Sequence, residues 1–125
     1  MIFGKTIAVL GNGLLEKDLY PSENIKVFER ILESGGAIVS EYIIGTKPLK
    51  YHFPERNRII SGLSDKIIVV EAKENSGSLI TVDFGLEQGK DIYAVPGNIM
   101  SLNSKGTNKL IKEGAYLLEN VEDLF

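Results

Sequence analysis

The sequence contains no cysteine and a single histidine, His52. The absence of cysteine excludes disulfides, thiolate metal sites and cysteine nucleophiles. No other residues have the spacing of a metal site, and no Ser-His-Asp or paired-carboxylate arrangement has a recognisable context. A lone histidine beside Phe53 and Pro54 more often makes a structural hydrogen bond than acts as a general base. We therefore expect no catalytic residues, no metal and no cofactor.

The sequence also lacks long apolar runs. None approaches the ~20 residues that span a membrane, and the N-terminal stretch has one lysine and no cleavage-like site. We therefore expect a cytoplasmic protein without membrane contact. Its 125 residues, 43% hydrophobic and 25% charged, are enough to bury a core. We expect a single domain over residues 1–125.

An overall excess of positive charge is absent, since the formal net charge is −3. This argues against a broad basic surface of the kind that coats duplex DNA. Four cations nevertheless lie in one short segment, with Glu55 as its only anion: Lys47, Lys50, Arg56 and Arg58. We expect this segment to form one basic edge that can meet phosphates.

Short β-rich runs alternate along the chain with helical patterns. The predicted strands are Thr6–Leu10, Ala37–Ser40, Lys66–Glu71, Asp91–Val95 and Ala115–Leu118. The predicted helices are Ser22–Ser34, Pro54–Leu63, Ser78–Gln88 and Gly106–Glu113, with a helical turn over Val121–Phe125. The alternation predicts an α/β fold with a mainly parallel sheet flanked by helices on both faces. The Ile-Ile-Val-Val run after Lys66 is typical of a buried central strand.

Binding sites in such a sheet lie beyond the carboxyl ends of the strands. The first of these loops begins with Gly11-Asn12-Gly13, which resembles the start of the dinucleotide-binding fingerprint G-x-G-x-x-G. Glu16 occupies the third glycine position, so the fingerprint fails. Taken alone, each glycine indicates a tight turn leaving a strand.

A later loop, Asn75-Ser76-Gly77-Ser78, leads into the third predicted helix. Ser76 or Ser78 can cap this helix, and the free N–H groups from Gly77 onward can bind a phosphate. A plain serine cap and a cap combined with an anion site both fit the sequence. No lysine follows the glycine, so this is not an NTPase phosphate loop.

Residues 50–63 combine bases, aromatics and hydrogen-bonding side chains where a loop enters a helix that Pro54 is suited to begin. Lys50 offers a cation to a phosphate, and Phe53 offers an exposed ring to a base. The helix start, whose N–H groups attract anions, carries three further polar side chains: Arg56, Asn57 and Arg58. The alternative is that Phe53 is a hydrophobic staple packed on Ile59 or Ile60, while the two arginines pair with carboxylates or cap strands.

Three segments carry a wider resemblance: HFPERNRIISGLSDKIIVVEA, NSGSLITVDFGLEQGKDIYAVPG and SKGTNKLIKEGAYLLENVEDL. From about Thr6 to Leu124 the chain resembles the DNA-processing protein A family, also called DprA or Smf. The resemblance implies a three-layer Rossmann-like domain that binds single-stranded DNA without strong sequence preference. It also implies a homodimer that passes the strand to the RecA recombinase in natural transformation, without enzymatic activity.

The same resemblance implies roles for individual residues. Lys50 would contact a phosphate, Phe53 a base, and residues 56–58 would form the adjoining basic helix start. Gly11 and Gly13 would border the nucleic-acid pocket. Family members also carry, ahead of the first strand, a βα region with another glycine-rich turn and an arginine that completes the pocket. This chain starts almost at that strand, so we expect a fragment or a short relative with weaker DNA binding.

Two other functions remain open. One is a nucleotide hydrolase related to the cytokinin-activating phosphoribohydrolases, although the nearest echo of their P-G-G-x-G-T-x-x-E signature, residues 76–81, lacks the glutamate. The other is a module for dimerisation or recombinase contact without strong DNA binding. A cluster of large apolar residues favours a dimer, and ordinary packing of a terminal helix explains it equally well. The cluster comprises Leu110, Ile111, Tyr116, Leu117 and Leu118.

Overall fold

Five strands and four α-helices alternate along residues 4–125, the part of the chain that the computed structural model describes, and each strand is parallel to its neighbours in its own sheet. The strands are β1 (Ile7–Val9), β2 (Ala37–Val39), β3 (Lys66–Val69), β4 (Asp91–Ala94) and β5 (Tyr116–Leu117). The helices are α1 (Ile25–Glu33), α2 (His52–Gly62), α3 (Gly77–Glu87) and α4 (Lys105–Lys112). Short 3₁₀ turns lie at Glu16–Asp18, Ser22–Asn24, Leu102–Ser104 and Val121–Leu124. The chain divides into two compact units, the first ending at Arg56 and the second running from Asn57 to Phe125.

The first unit contains β1, α1 and β2. The two strands pair in parallel, with Ile7 opposite Ala37. The helix between them ends because Gly35 adopts a φ of 77°, a conformation that favours glycine. Gly36 follows in a tight space, since a Cβ there would lie 2.3 Å from the Thr6 carbonyl oxygen. These two glycines allow the chain to leave α1 and enter β2 directly.

The second unit contains a three-stranded sheet in the order β3-β4-β5. Its core is made of five buried apolar side chains: Ile67, Val69, Ala72, Val82 and Ile92. Leu79 on α3, Leu110 on α4 and Ala115, the residue just before β5, pack against them. A Cβ on Gly85 would lie 2.2 Å from Ile67 Cδ1, so α3 approaches β3 more closely than a larger residue would allow.

The predicted α/β fold is confirmed, since each predicted strand and helix is present and the strands are parallel. Several boundaries differ by a few residues, and α2 begins at His52 and not at Pro54. Pro54 still lies in the first turn, where its missing N–H costs no helical hydrogen bond. The helix predicted from Ser22 starts as a 3₁₀ turn before α1. Within residues 4–125, no helix combines the length and apolar character needed to cross a membrane.

Within the sheet of the second unit, β3 is not the central strand, and only one of its faces is buried. Ile67 and Val69 are buried, but Ile68 is 43% exposed and Val70 is 64% exposed. The central strand of this sheet is β4, where residues 92–94 are all buried. A run of β-branched residues suits a strand at the end of a sheet as well as one covered on both faces. The apolar run therefore predicted the strand but could not predict its place in the sheet.

Candidate functional site

The first turn of α2 is joined to the carboxyl end of β1 by two side chains. His52 is buried, and its Nδ1 lies 3.0 Å from the Gly11 carbonyl oxygen. Because a carbonyl only accepts hydrogen bonds, Nδ1 carries the proton in this pair. Arg56 Nη1 donates to the Val9 carbonyl. The helix start, the strand end and the glycine turn therefore form one connected structure.

Phe53 lies between these two residues on α2 and packs on the glycine turn. A Cβ on Gly11 would lie 3.1 Å from Phe53 Cδ1, so a larger residue there would press on the ring. The guanidinium carbon of Arg56 is 5.7 Å from the ring centroid, and the Tyr20 ring is 6.0 Å away at an angle of 60°. The ring is half-buried. This corrects the expectation of an exposed ring, because Gly11 leaves space for the ring to pack against the turn.

Arg56 supplies the positive charge of this group. The side chain is half-buried, and burial lowers its pKa, while the electrostatic influence of Tyr42 opposes that shift. The ordinary pKa of a guanidinium is so high that Arg56 stays charged at neutral pH. Its contact with the Val9 carbonyl also agrees with the alternative that an arginine caps a strand. Arg56 thus combines a structural contact with a fixed charge.

The glycine turn is also held by the loop after β2. Ser40 Oγ donates to the Asn12 carbonyl (2.6 Å), and Asn12 is itself buried. A Cβ on Gly13 would lie 2.6 Å from the Ile43 carbonyl oxygen, so only glycine fits there without a shift of the backbone. Gly11 therefore makes room for an aromatic ring, whereas Gly13 makes room for the neighbouring loop.

The other predicted residues of this stretch lie before and after Phe53 and Arg56 along the chain. Lys50 is exposed in the turn immediately before α2. Asn57 is half-buried and Arg58 is exposed, and both belong to the second unit. The Arg58 carbonyl accepts a hydrogen bond from Gln88 Nε2 (2.9 Å) within that unit. The roles of these side chains in binding stay predictions.

Ser76, Gly77 and Ser78 lie together at the amino end of α3 in the second unit. Ser76 is the N-cap residue, and its Oγ accepts a hydrogen bond from the Ser78 N–H (3.3 Å). Gly77 is exposed, with open space where a Cβ would stand. The serine cap is confirmed, and an anion site at the same position stays a prediction.

The sequence interpretation missed two contributors to the site. Tyr20 follows the glycine turn in the loop before α1, and its contact with Phe53 depends on how that loop folds. Asn12 has the appearance of an ordinary turn residue, and its burial comes from contacts with residues distant in sequence. The structural hydrogen bond expected of His52 is present. For Tyr20, the one available signal in the sequence was that it is an aromatic residue in a loop beyond the carboxyl end of a strand.

The arrangement in the first unit offers contacts suited to an anionic ligand that carries a flat ring. A guanidinium attracts phosphate, and aromatic rings stack with bases. His52 Nδ1 is already occupied by the Gly11 carbonyl. Within the described part of the chain, no group of three or more His, Asp or Glu residues is placed to hold a metal ion.

The chain matches the family described as DNA recombination-mediator protein A over residues 2–125. It is 48% identical to Protein Smf of Escherichia coli over 121 residues, and 47% identical to DNA processing protein DprA of Streptococcus pneumoniae over 121 residues. Each match covers 97% of this chain, but only 32% of Smf and 42% of DprA. The chain therefore spans less than half the length of these relatives.

Solved structures show the same relationship. The X-ray structure of S. pneumoniae DprA aligns with a TM-score of 0.82 and 46% identity, covering 97% of this chain and 42% of the other. A structure of Helicobacter pylori DprA aligns with a TM-score of 0.84 and 32% identity, covering 96% of this chain and 54% of the other. The latter is described as giving insight into the unique single-stranded DNA binding mode of that protein. These matches confirm the Rossmann-like α/β class.

The resemblance seen in the sequence motifs is thus confirmed by the family match, the similar sequences and the solved structures, and the family match includes Gly11, Phe53 and Arg56. The chain belongs to the DNA recombination-mediator protein A family, and proteins named DprA and Smf are its relatives.

Proposed function

We propose that this chain binds single-stranded DNA without strong sequence preference. The observation that carries the proposal is the group of Phe53, Arg56 and the Gly11 turn, held together by direct contacts. Every base has a flat face and every nucleotide has a phosphate, so a ring and a guanidinium recognise features common to all sequences. The single-stranded DNA binding described for the H. pylori relative supports the same conclusion.

The distribution of charge favours a narrow contact along a strand. The formal net charge is −3, yet Lys47 and Lys50 are both exposed just ahead of α2, the helix that carries Phe53. Local cations of this kind release counterions from a nucleic-acid backbone, whatever its sequence. We therefore expect the affinity to fall with salt and to vary little with base sequence.

Lys50→Ala tests the phosphate contact directly. Lys50 is exposed, so its removal should leave folding unchanged while oligo-dT binding weakens. The slope of log affinity against log salt should fall by roughly 0.7, the value of one single-strand phosphate contact. Fluorescence anisotropy with labelled oligo-dT across a salt titration measures both quantities.

Lys26→Ala is the matched control, because Lys26 is an exposed lysine on α1. We expect its salt slope to equal that of the unmodified chain. If Lys50→Ala has the same slope as Lys26→Ala, Lys50 makes no phosphate contact. If the unmodified chain does not bind oligo-dT at low salt, the proposed function is wrong.

We further propose that this binding supports natural transformation and the delivery of single strands to RecA, through a homodimer and without catalysis. The family description as a recombination mediator and the DNA processing names of the relatives support this role. Co-sedimentation of RecA with DNA-bound protein tests the partner. Release of free base from nucleoside monophosphates would contradict the non-catalytic role and favour the hydrolase alternative.

A further inference from the structure

Tyr20 presents a larger fraction of its surface to solvent than the Phe53 ring beside it. Tyr20 is 59% exposed, whereas Phe53 is half-buried. Backbone hydrogen bonds form short turns on both sides of Tyr20, one from the Leu19 N–H to the Glu16 carbonyl (3.1 Å) and one from Asn24 to Pro21 (3.0 Å). The ring is therefore held beside Phe53 while most of its surface stays open.

We propose that Tyr20 is a second base-stacking platform, so that the site holds two neighbouring nucleotides of a single strand. The proposal rests on the single-stranded DNA binding proposed above. The Tyr20 and Phe53 rings are inclined by 60° with centroids 6.0 Å apart. Two rings inclined in this way cannot both stack on one flat base. Each ring therefore takes its own base.

The surroundings of the two rings agree with this assignment. Phe53 is in contact with Gly11 and lies near the Arg56 guanidinium, so part of its surface is already used. Tyr20 adds an open aromatic surface beside the Phe53 ring. A phosphate that links two stacked bases would then lie close to a fixed cation, which is the usual combination in sequence-tolerant single-strand sites.

Tyr20→Leu distinguishes base stacking from contact with the DNA backbone when its binding to oligo-dT and to an abasic strand is compared. Loss of one stacking platform should weaken oligo-dT binding by roughly 5- to 150-fold. Binding of an abasic strand with the same number of phosphates should not change. Tyr20→Phe keeps the ring and should bind oligo-dT like the unmodified chain. Equal losses on both ligands would overturn the proposal, because Tyr20 would then act on the backbone or on folding.

Tyr20→Trp gives a direct optical readout, since the chain contains no other tryptophan. A base stacked on the indole should quench its fluorescence, whereas the abasic strand should not. Unquenched emission together with unchanged oligo-dT affinity of Tyr20→Leu would overturn the second platform and leave the proposed function standing. Failure of the unmodified chain to bind oligo-dT would overturn both.

Discussion

At the scale of single residues, a side chain that stabilises the site lies next in sequence to one that is proposed to bind DNA. His52 precedes Phe53, is only 5% exposed, and contacts the Gly11 carbonyl through Nδ1. Its ring also stacks on Tyr42, with centroids 4.0 Å apart and planes inclined by 24°. His52 therefore fixes the position of the turn against which Phe53 packs.

His52→Ala should lower the free energy of unfolding by about 2–4 kcal/mol, because it removes a buried hydrogen bond and leaves a cavity. His52→Asn keeps a donor close to the position of Nδ1 and should lose less. Urea denaturation followed by circular dichroism measures both effects. Equal losses in the two variants would mean that ring packing, and not the bond to Gly11, provides the stability.

The residues of the site could be predicted from the sequence more readily than their contacts. The pattern around Pro54 indicated a helix start with cations and a ring, and the family resemblance pointed to Phe53 and the glycine turn. The contact of Arg56 with the Val9 carbonyl could not be predicted, because a backbone acceptor has no sequence signature. The half-buried state of Phe53 could not be predicted either, because it depends on the three-dimensional position of Gly11 next to the ring.

At the scale of secondary-structure elements, turn signals were more reliable than apolar runs. Gly35, Gly89 and Gly114 all adopt positive φ beyond the ends of helices, where the sequence predicted helix stops. The exposure of one face of β3 could not be predicted, since it depends on the order of strands in the sheet. Residues near the end of a helix or strand determine where that element ends, whereas its burial depends on which other elements pack against it in the fold.

The close approach of α3 to β3 predicts the effect of a small change. Gly85→Ala should lower the free energy of unfolding by about 1–3 kcal/mol, because the added methyl group would meet the buried Ile67 side chain. Gly77→Ala is the matched control on the same helix, where a Cβ meets open space, and it should leave stability nearly unchanged. Thermal denaturation compares the two, and equal stability would show that the core shifts freely around position 85.

At the scale of the whole molecule, the chain carries one portion of a longer family architecture. It spans less than half of Smf and DprA, and its described part consists of two compact units. The expectation of a single domain over residues 1–125 therefore stays a prediction.

Assembly is the last property that the structure makes testable. β5 lies at the end of the described sheet, where Tyr116 is 56% exposed and Leu117 is 43% exposed. Leu110 and Ile111 on α4 are half-buried. An apolar strand at the end of a sheet is a common site of pairing, and a two-fold dimer would cover it symmetrically. We therefore expect a dimer that forms through α4 and β5.

Tyr116→Glu should convert this dimer to a monomer, because a charge on an end strand opposes pairing between copies. Multi-angle light scattering at micromolar concentration measures the mass of each form. Leu63→Glu is the matched control, since Leu63 is an exposed apolar residue just beyond α2, and it should leave the dimer intact. A monomer mass for the unmodified chain would contradict the dimer, and ordinary packing of the terminal helix would then explain the apolar cluster.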